Sequence, residues 1–195
     1  MEPIVEIGKR SEYYPQSLLM LGDLAPDVIY AQGDIDLLNK SLAAFICTTE
    51  ITEDNAFKMG IMESEFDRKQ HWLFSMDDTI AEFMLTIHMN SDITPVILVE
   101  ETMDDYSDIY GERKNGLLEE IVENGGLIIE FHYNDPLKYE ALSDNELMVA
   151  LSDLVVVPLC TKRDVYIRKA MKYAKELGKK VYINKEDLIN LRKKE

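Results

Sequence analysis

The sequence predicts an α/β fold with a doubly wound, mainly parallel sheet and helices on both faces. Two observations carry this prediction. Apolar runs with little polar alternation, LAAFICT at 42–48, PVILV at 95–99, LIIEF at 127–131 and LVVVPL at 154–159, read as strands buried on both sides. Segments of helical period separate them, so the strands need crossovers, and crossovers between parallel strands are right-handed.

The elements follow in order. Glu53–Gln70 reads as a helix with Thr52 as its N-cap and Phe57, Ile61, Met62 and Phe66 near one face. Trp72–Met76 is a short strand. Asp77–Met89 is a helix with Ile80, Phe83, Met84 and Ile87 inward and two acids at its positive end. Glu112–Asn124 is a helix with Leu117, Leu118, Ile121 and Val122 as its stripe, and Gly125-Gly126 supplies a left-handed cap. Asn145–Leu151 and Arg163–Leu177 are helices, Gly178 ends the second, and Lys180–Ile183 is the last strand. A short helix near Glu186–Arg192 closes the chain. The first 38 residues break the alternation and read as an N-terminal cap on the sheet, with residues 39–195 as the main domain.

Composition narrows the functional classes. The chain carries 37 acids against 21 bases, a net charge of -16. Such a balance opposes a polyanion, whose affinity comes from cations on phosphates. The distribution is uneven: residues 161–195 hold 12 bases and 5 acids, leaving a net of -23 on residues 1–160. The basic segment reads as the solvated face of a helix, with Arg163, Arg168, Lys169 and Lys172 as the alternative anion or nucleic-acid patch. No apolar run approaches the roughly 18 residues of a membrane span. No leader pattern is seen, and two cysteines suggest a reducing compartment, so a cytoplasmic protein is expected. Cys47 and Cys160 are expected as buried free thiols rather than a redox pair.

No glycine-rich phosphate loop and no nucleophile elbow occur, and His71, His88 and His132 are scattered. No catalytic residues, metal or cofactor are therefore assigned, and an enzyme is not expected. Acids gather at predicted strand ends: Glu50, Asp77, Asp78, Glu100, Glu101 and Glu130. They read mainly as helix N-terminal and loop charge, although ligands of open α/β sheets bind at those ends.

Three stretches, in order, resemble the DprA/Smf family of DNA-processing proteins. The first is Tyr14-Pro15, Leu18, Asp23-Leu24-Ala25-Pro26, Ile29-Tyr30, Gly33-Asp34 and Leu37-Leu38. The second is Tyr110, Asn115, Leu117, Ile121 and Asn124-Gly125-Gly126-Leu127, ending at Glu130. The third is Asp144-Asn145-Glu146 through Leu151-Ser152-Asp153, where the family has Arg-Asn-Arg, aliphatics and Leu-Ser-Asp. The resemblance implies a Rossmann-like domain and a role in DNA processing.

Departures fall on the polar positions. The family's Gly-Ser-Arg turn is Cys47-Thr48-Thr49, its Ser-Gly-rich loop is Ser75-Met76-Asp77-Asp78, and both arginines of Arg-Asn-Arg are acids. The resemblance places any small ligand near Thr48, Thr49, Ser75, Asp77, Glu130 and Asn145. The resulting expectation is a divergent, non-enzymatic relative with weak or lost DNA binding. A sensor of a nucleotide-like ligand, a protein-binding or self-associating scaffold (a homo-oligomer), and, less favoured, a nucleotide N-glycosidase remain as alternatives.

Overall fold

The strand order of the single sheet explains where a site can form. The structure, a computed structural model, describes residues 3–47, 71–76, 94–99, 111–139, 141–158, 160 and 164–184. Eight strands are β1 Val5–Gly8, β2 Val28–Gly33, β3 Leu42–Phe45, β4 His71–Ser75, β5 Val96–Leu98, β6 Leu127–His132, β7 Leu154–Val157 and β8 Lys180–Ile183. They lie in the order β1-β2-β6-β5-β4-β3-β7-β8. The six strands from β6 to β8 run parallel, while β2 is antiparallel to both β6 and β1.

The four apolar runs all occupy interior places, as two-sided burial demands. From β3 the chain steps outward through β4 and β5 to β6, then returns to β7 on the other side of β3. The winding reverses between β3 and β7, the switch point at whose carboxyl ends ligands of open α/β sheets bind.

Helices cover the two faces separately. Helix α2, Gly111–Glu123, follows the short α1 at Gln16–Leu19. Its Leu118, Ile121 and Val122 pack with Phe45, Trp72, Phe74, Ile97 and Ile128 on one face. The four-residue α3, Pro136–Tyr139, leads to α4, Asp144–Leu151, and α5, Val165–Glu176. Buried Leu147–Leu151 of α4 and Ile167, Ala170 and Ala174 of α5 pack on the opposite face, with Leu42, Ala44, Leu73 and Val155. The stripe read from the sequence, Leu117, Leu118, Ile121 and Val122, is the side of α2 that packs on the sheet. The predicted helices at 53–70, 77–89 and 186–192 lie outside the described residues.

The first 38 residues differ from the expectation of a cap laid on the sheet. Val5–Gly8 and Val28–Gly33 join the sheet and extend it by two antiparallel strands beyond β6. Their joint with the rest is made by the residues that carry the family resemblance. Tyr14 is 1% exposed and its hydroxyl donates to the Pro26 carbonyl at 2.6 Å. Burial, with Tyr133 and Asp27 adding, raises the Tyr14 phenol above its ordinary value, so it stays a donor. Tyr14→Phe leaves that carbonyl unmet and is expected to lower stability by about 1 kcal/mol. Urea unfolding followed by emission of the single, buried Trp72 measures this.

Asp27 accepts from Lys9 Nζ at 2.8 Å and from the Asn134 N–H at 2.9 Å. The Lys9 bond, then the Asn134 bond, holds its carboxyl below the usual range. Asp34 donates its N–H to Gly126 O at 3.1 Å and accepts from the Asp36 N–H with its side chain. Gly125, at φ +81°, makes the left-handed turn out of α2 that the Gly125-Gly126 pair predicts.

Candidate functional site

The ends of β3, β4 and β7 and the start of α4 lie on the carboxyl side of the sheet, where the switch point places a candidate site. Asp153 follows α4 and donates its N–H to Leu42 O at the amino end of β3. The C-terminus of α4 thus lies at the amino ends of the strands and its N-terminus at their carboxyl ends. Four orphan N–H groups and the positive end of the helix dipole would make such a terminus attractive to an anion.

The protein places its own anion there. Glu146 is the third residue of α4 and is 4% exposed. Its Oε2 accepts from the Ser143 N–H at 3.0 Å, the Ser143 hydroxyl at 2.8 Å and Lys169 Nζ of α5 at 2.9 Å. Burial raises the Glu146 carboxyl, but the Ser143 N–H, Lys169 and the Ser143 hydroxyl outweigh it and hold the group below the ordinary carboxylate range. The sequence Ser143-Asp144-Asn145-Glu146 carries the S-x-x-E signature that marks such a start. The other end of α4 is closed by Lys179, whose Nζ donates to the Ala150 carbonyl at 2.7 Å and to the Ser152 carbonyl. Burial lowers the Lys179 amine to about 8, against a smaller opposing pull from Asp153.

The predicted ligand residues divide. Ser75 ends β4 half-buried and, by strand alternation with Leu73, faces the side covered by α4. Asn145 is the second residue of α4 and half-buried. These two share a face and a sheet end. Glu130 is 7% exposed and pairs across to Tyr30 of β2. It alternates with Ile129 and therefore lies on the α2 face with Ile128. Tyr30 meets His132 edge-on at 5.7 Å on that same face. The structure therefore does not bring Glu130 and Asn145 together. Thr48, Thr49 and Asp77 lie outside the described residues.

The predicted basic patch also divides. Arg168 is exposed, while Lys169 holds Glu146 and Lys172 lies 3.7 Å from Glu176 with both side chains largely in solvent. An exposed pair of that kind contributes little energy but still neutralises local charge. Arg163 lies outside the described residues. Cys47 and Cys160 are buried free cysteines. Among the described residues no cluster of three or more metal-ligating side chains occurs, and no helix is long and apolar enough to cross a membrane.

A parallel, doubly wound sheet with its switch point at β3 and β7 defines a Rossmann-like α/β protein. The sequence matches the family model of DNA recombination-mediator protein A over residues 6–194, and the chain belongs to that family. None of the curated proteins matches the chain. Among solved structures it resembles DNA processing protein A of Streptococcus pneumoniae, with a TM-score of 0.71 at 15% identity over 92% of this chain. The chain spans 62% of the length of that protein. It also resembles DNA processing protein A of Helicobacter pylori, whose structure concerns its single-stranded DNA binding mode. There the TM-score is 0.65 at 21% identity, over 93% of this chain and 80% of that one.

Proposed function

We propose that this chain is a non-enzymatic member of the DNA-processing family whose crevice face takes single-stranded DNA weakly or not at all. One observation carries the reading. The N-terminus of α4, where the family pattern sets Arg-Asn-Arg, carries Asp144-Asn145-Glu146, and the Glu146 carboxylate accepts the cap N–H of Ser143 and engages Lys169. A phosphate approaching this terminus meets a negative group already held at the Ser143 cap. It also meets the field of a chain with net charge -16, felt over a Debye length of about 8–10 Å. Phosphate neutralisation, the main source of sequence-independent affinity, is thereby weakened at the point where the fold would supply it. Ser75 and Asn145 are the side chains proposed to meet a small nucleotide-like ligand at the same crevice.

The test is a titration of the intact chain with a labelled oligothymidylate at low salt, read by anisotropy. The proposal expects binding no tighter than about 100 μM, the range of weak non-specific association. Micromolar binding that falls steeply with salt and is lost in Arg168→Glu/Lys172→Glu would overturn it.

A further inference from the structure

The C-terminus of α4 is closed by an amine rather than by a left-handed turn. Lys179 Nζ donates to the Ala150 carbonyl at 2.7 Å and to the Ser152 carbonyl. The side chain reaches them from the turn between α5 and β8, where the Lys179 N–H donates to Ala174 O at 2.8 Å and Gly178 sits at φ +69°. Lys179 is half-buried there. Its partners set it apart from Lys9 and Lys169, which hold carboxylates at 2.8 and 2.9 Å, full charges that keep an amine protonated. Lys179 holds two uncharged carbonyls. A neutral amine has two N–H groups, enough for both, and its lone pair stays free.

The charged side chains on the elements around it are Asp153 ahead of β7, Lys175 and Glu176 at the end of α5 and Lys180 of β8, while the acids of α4 lie at its far end. Burial is the largest influence and lowers the amine to about 8, with Asp153 opposing. Near pH 7.5 about a quarter of the amine is then neutral, against about a thousandth for an exposed lysine. A weaker base is a weaker nucleophile, which takes back part of that gain.

We propose that Lys179 is an acylation site that takes the acyl group of an acyl phosphate. The Nζ lone pair attacks the acyl carbon, the bond from that carbon to the phosphate oxygen breaks, phosphate leaves with the electron pair, and the surplus proton on nitrogen passes to water. The product is a neutral amide with one N–H. It meets only one of the two carbonyls, so the end of α4 loses a tie to the turn before β8. This site lies at the opposite end of α4 from Glu146 and is independent of the weak-DNA reading.

Treatment of the intact chain with acetyl phosphate over a series of pH values, with peptide mass spectrometry at each lysine, tests it. Lys179 is expected to react at least about fivefold faster than exposed Lys172 and Lys180 near neutrality. Its rate should level off above about 8, while theirs climbs toward about 10.5. The acetylated chain is expected to unfold in urea with a constant about fivefold higher. Lys179→Arg keeps donors for both carbonyls and is expected to show no such change after the same treatment, with Trp72 emission reporting that it folds. Lys179 left unmodified while Lys172 and Lys180 react, or a Lys179 rate that climbs alongside theirs, would overturn the proposal. So would an equal loss of stability in treated Lys179→Arg.

Discussion

Gly33→Ala is expected to lower stability by about 3 kcal/mol or more. A Cβ at Gly33 would lie 2.2 Å from the Gly126 carbonyl oxygen, and the residue sits at φ +114°. The oxygen cannot retreat freely, because it accepts the Asp34 N–H at 3.1 Å. Gly126 has no slack either: a Cβ there would meet Ile121 Cγ2 at 2.5 Å, Ile121 O at 2.9 Å and Pro95 O at 3.0 Å. Two glycines thus let the end of β2 close on the turn between α2 and β6. Gly116→Ala is the control. That glycine lies within α2 with nothing inside 4 Å, so the same methyl should stabilise by about 0.5–1 kcal/mol. Opposite signs in urea unfolding support this packing account. Equal, small effects would mean that β2 does not approach Gly126 as described.

Glu146→Ala is expected to lower stability by about 2–3 kcal/mol at neutral pH. It removes the acceptor shared by the Ser143 N–H, the Ser143 hydroxyl and Lys169, and with it the lock between α4 and α5. The pH dependence separates this from simple loss of packing. The folded carboxyl lies below its ordinary value of 4.5, so the unfolded chain binds the extra proton first as the pH falls. The Glu146 contribution is therefore complete above about 4.5 and lost as the pH falls through the lower, folded value. The gap between wild type and Glu146→Ala should be constant near neutrality and shrink in acid. A gap that persists unchanged in strong acid would show that the carboxylate charge has no part in it.

The sequence made the interior of the sheet legible for a physical reason. Leu127–Ile129 and Leu154–Val157 are apolar at successive positions, as two-sided cover requires. The two strands it missed are those that lack this signal. Val5–Gly8 is largely exposed on an edge, and Val28–Gly33 carries Tyr30 and Gln32. Some twenty residues separate the two, so no tight-turn pattern announces their pairing. The same strand, β2, changes the reading of Glu130. In the sequence Glu130 stands near the end of a strand facing a crevice, whereas pairing with β2 carries β6 on to His132. The cap at Ser143 and Glu146 went unread, although Ser-x-x-Glu is a local pattern that marks a helix start. Its tertiary partner Lys169, 23 residues away, was read instead as a cation available to an anion.

The most direct test of the central claim restores the family's charges and asks whether binding returns. Asp144→Arg/Glu146→Arg empties the carboxylate from the start of α4, frees Lys169 and recreates Arg-Asn-Arg around Asn145. Anisotropy of a labelled oligothymidylate at low salt is compared between this variant and wild type, with Trp72 emission reporting that both are folded. The account predicts negligible binding by wild type and a gain of at least about tenfold in affinity, steeply reduced by salt, in the variant. Tight binding by wild type, unchanged in the variant, would contradict it.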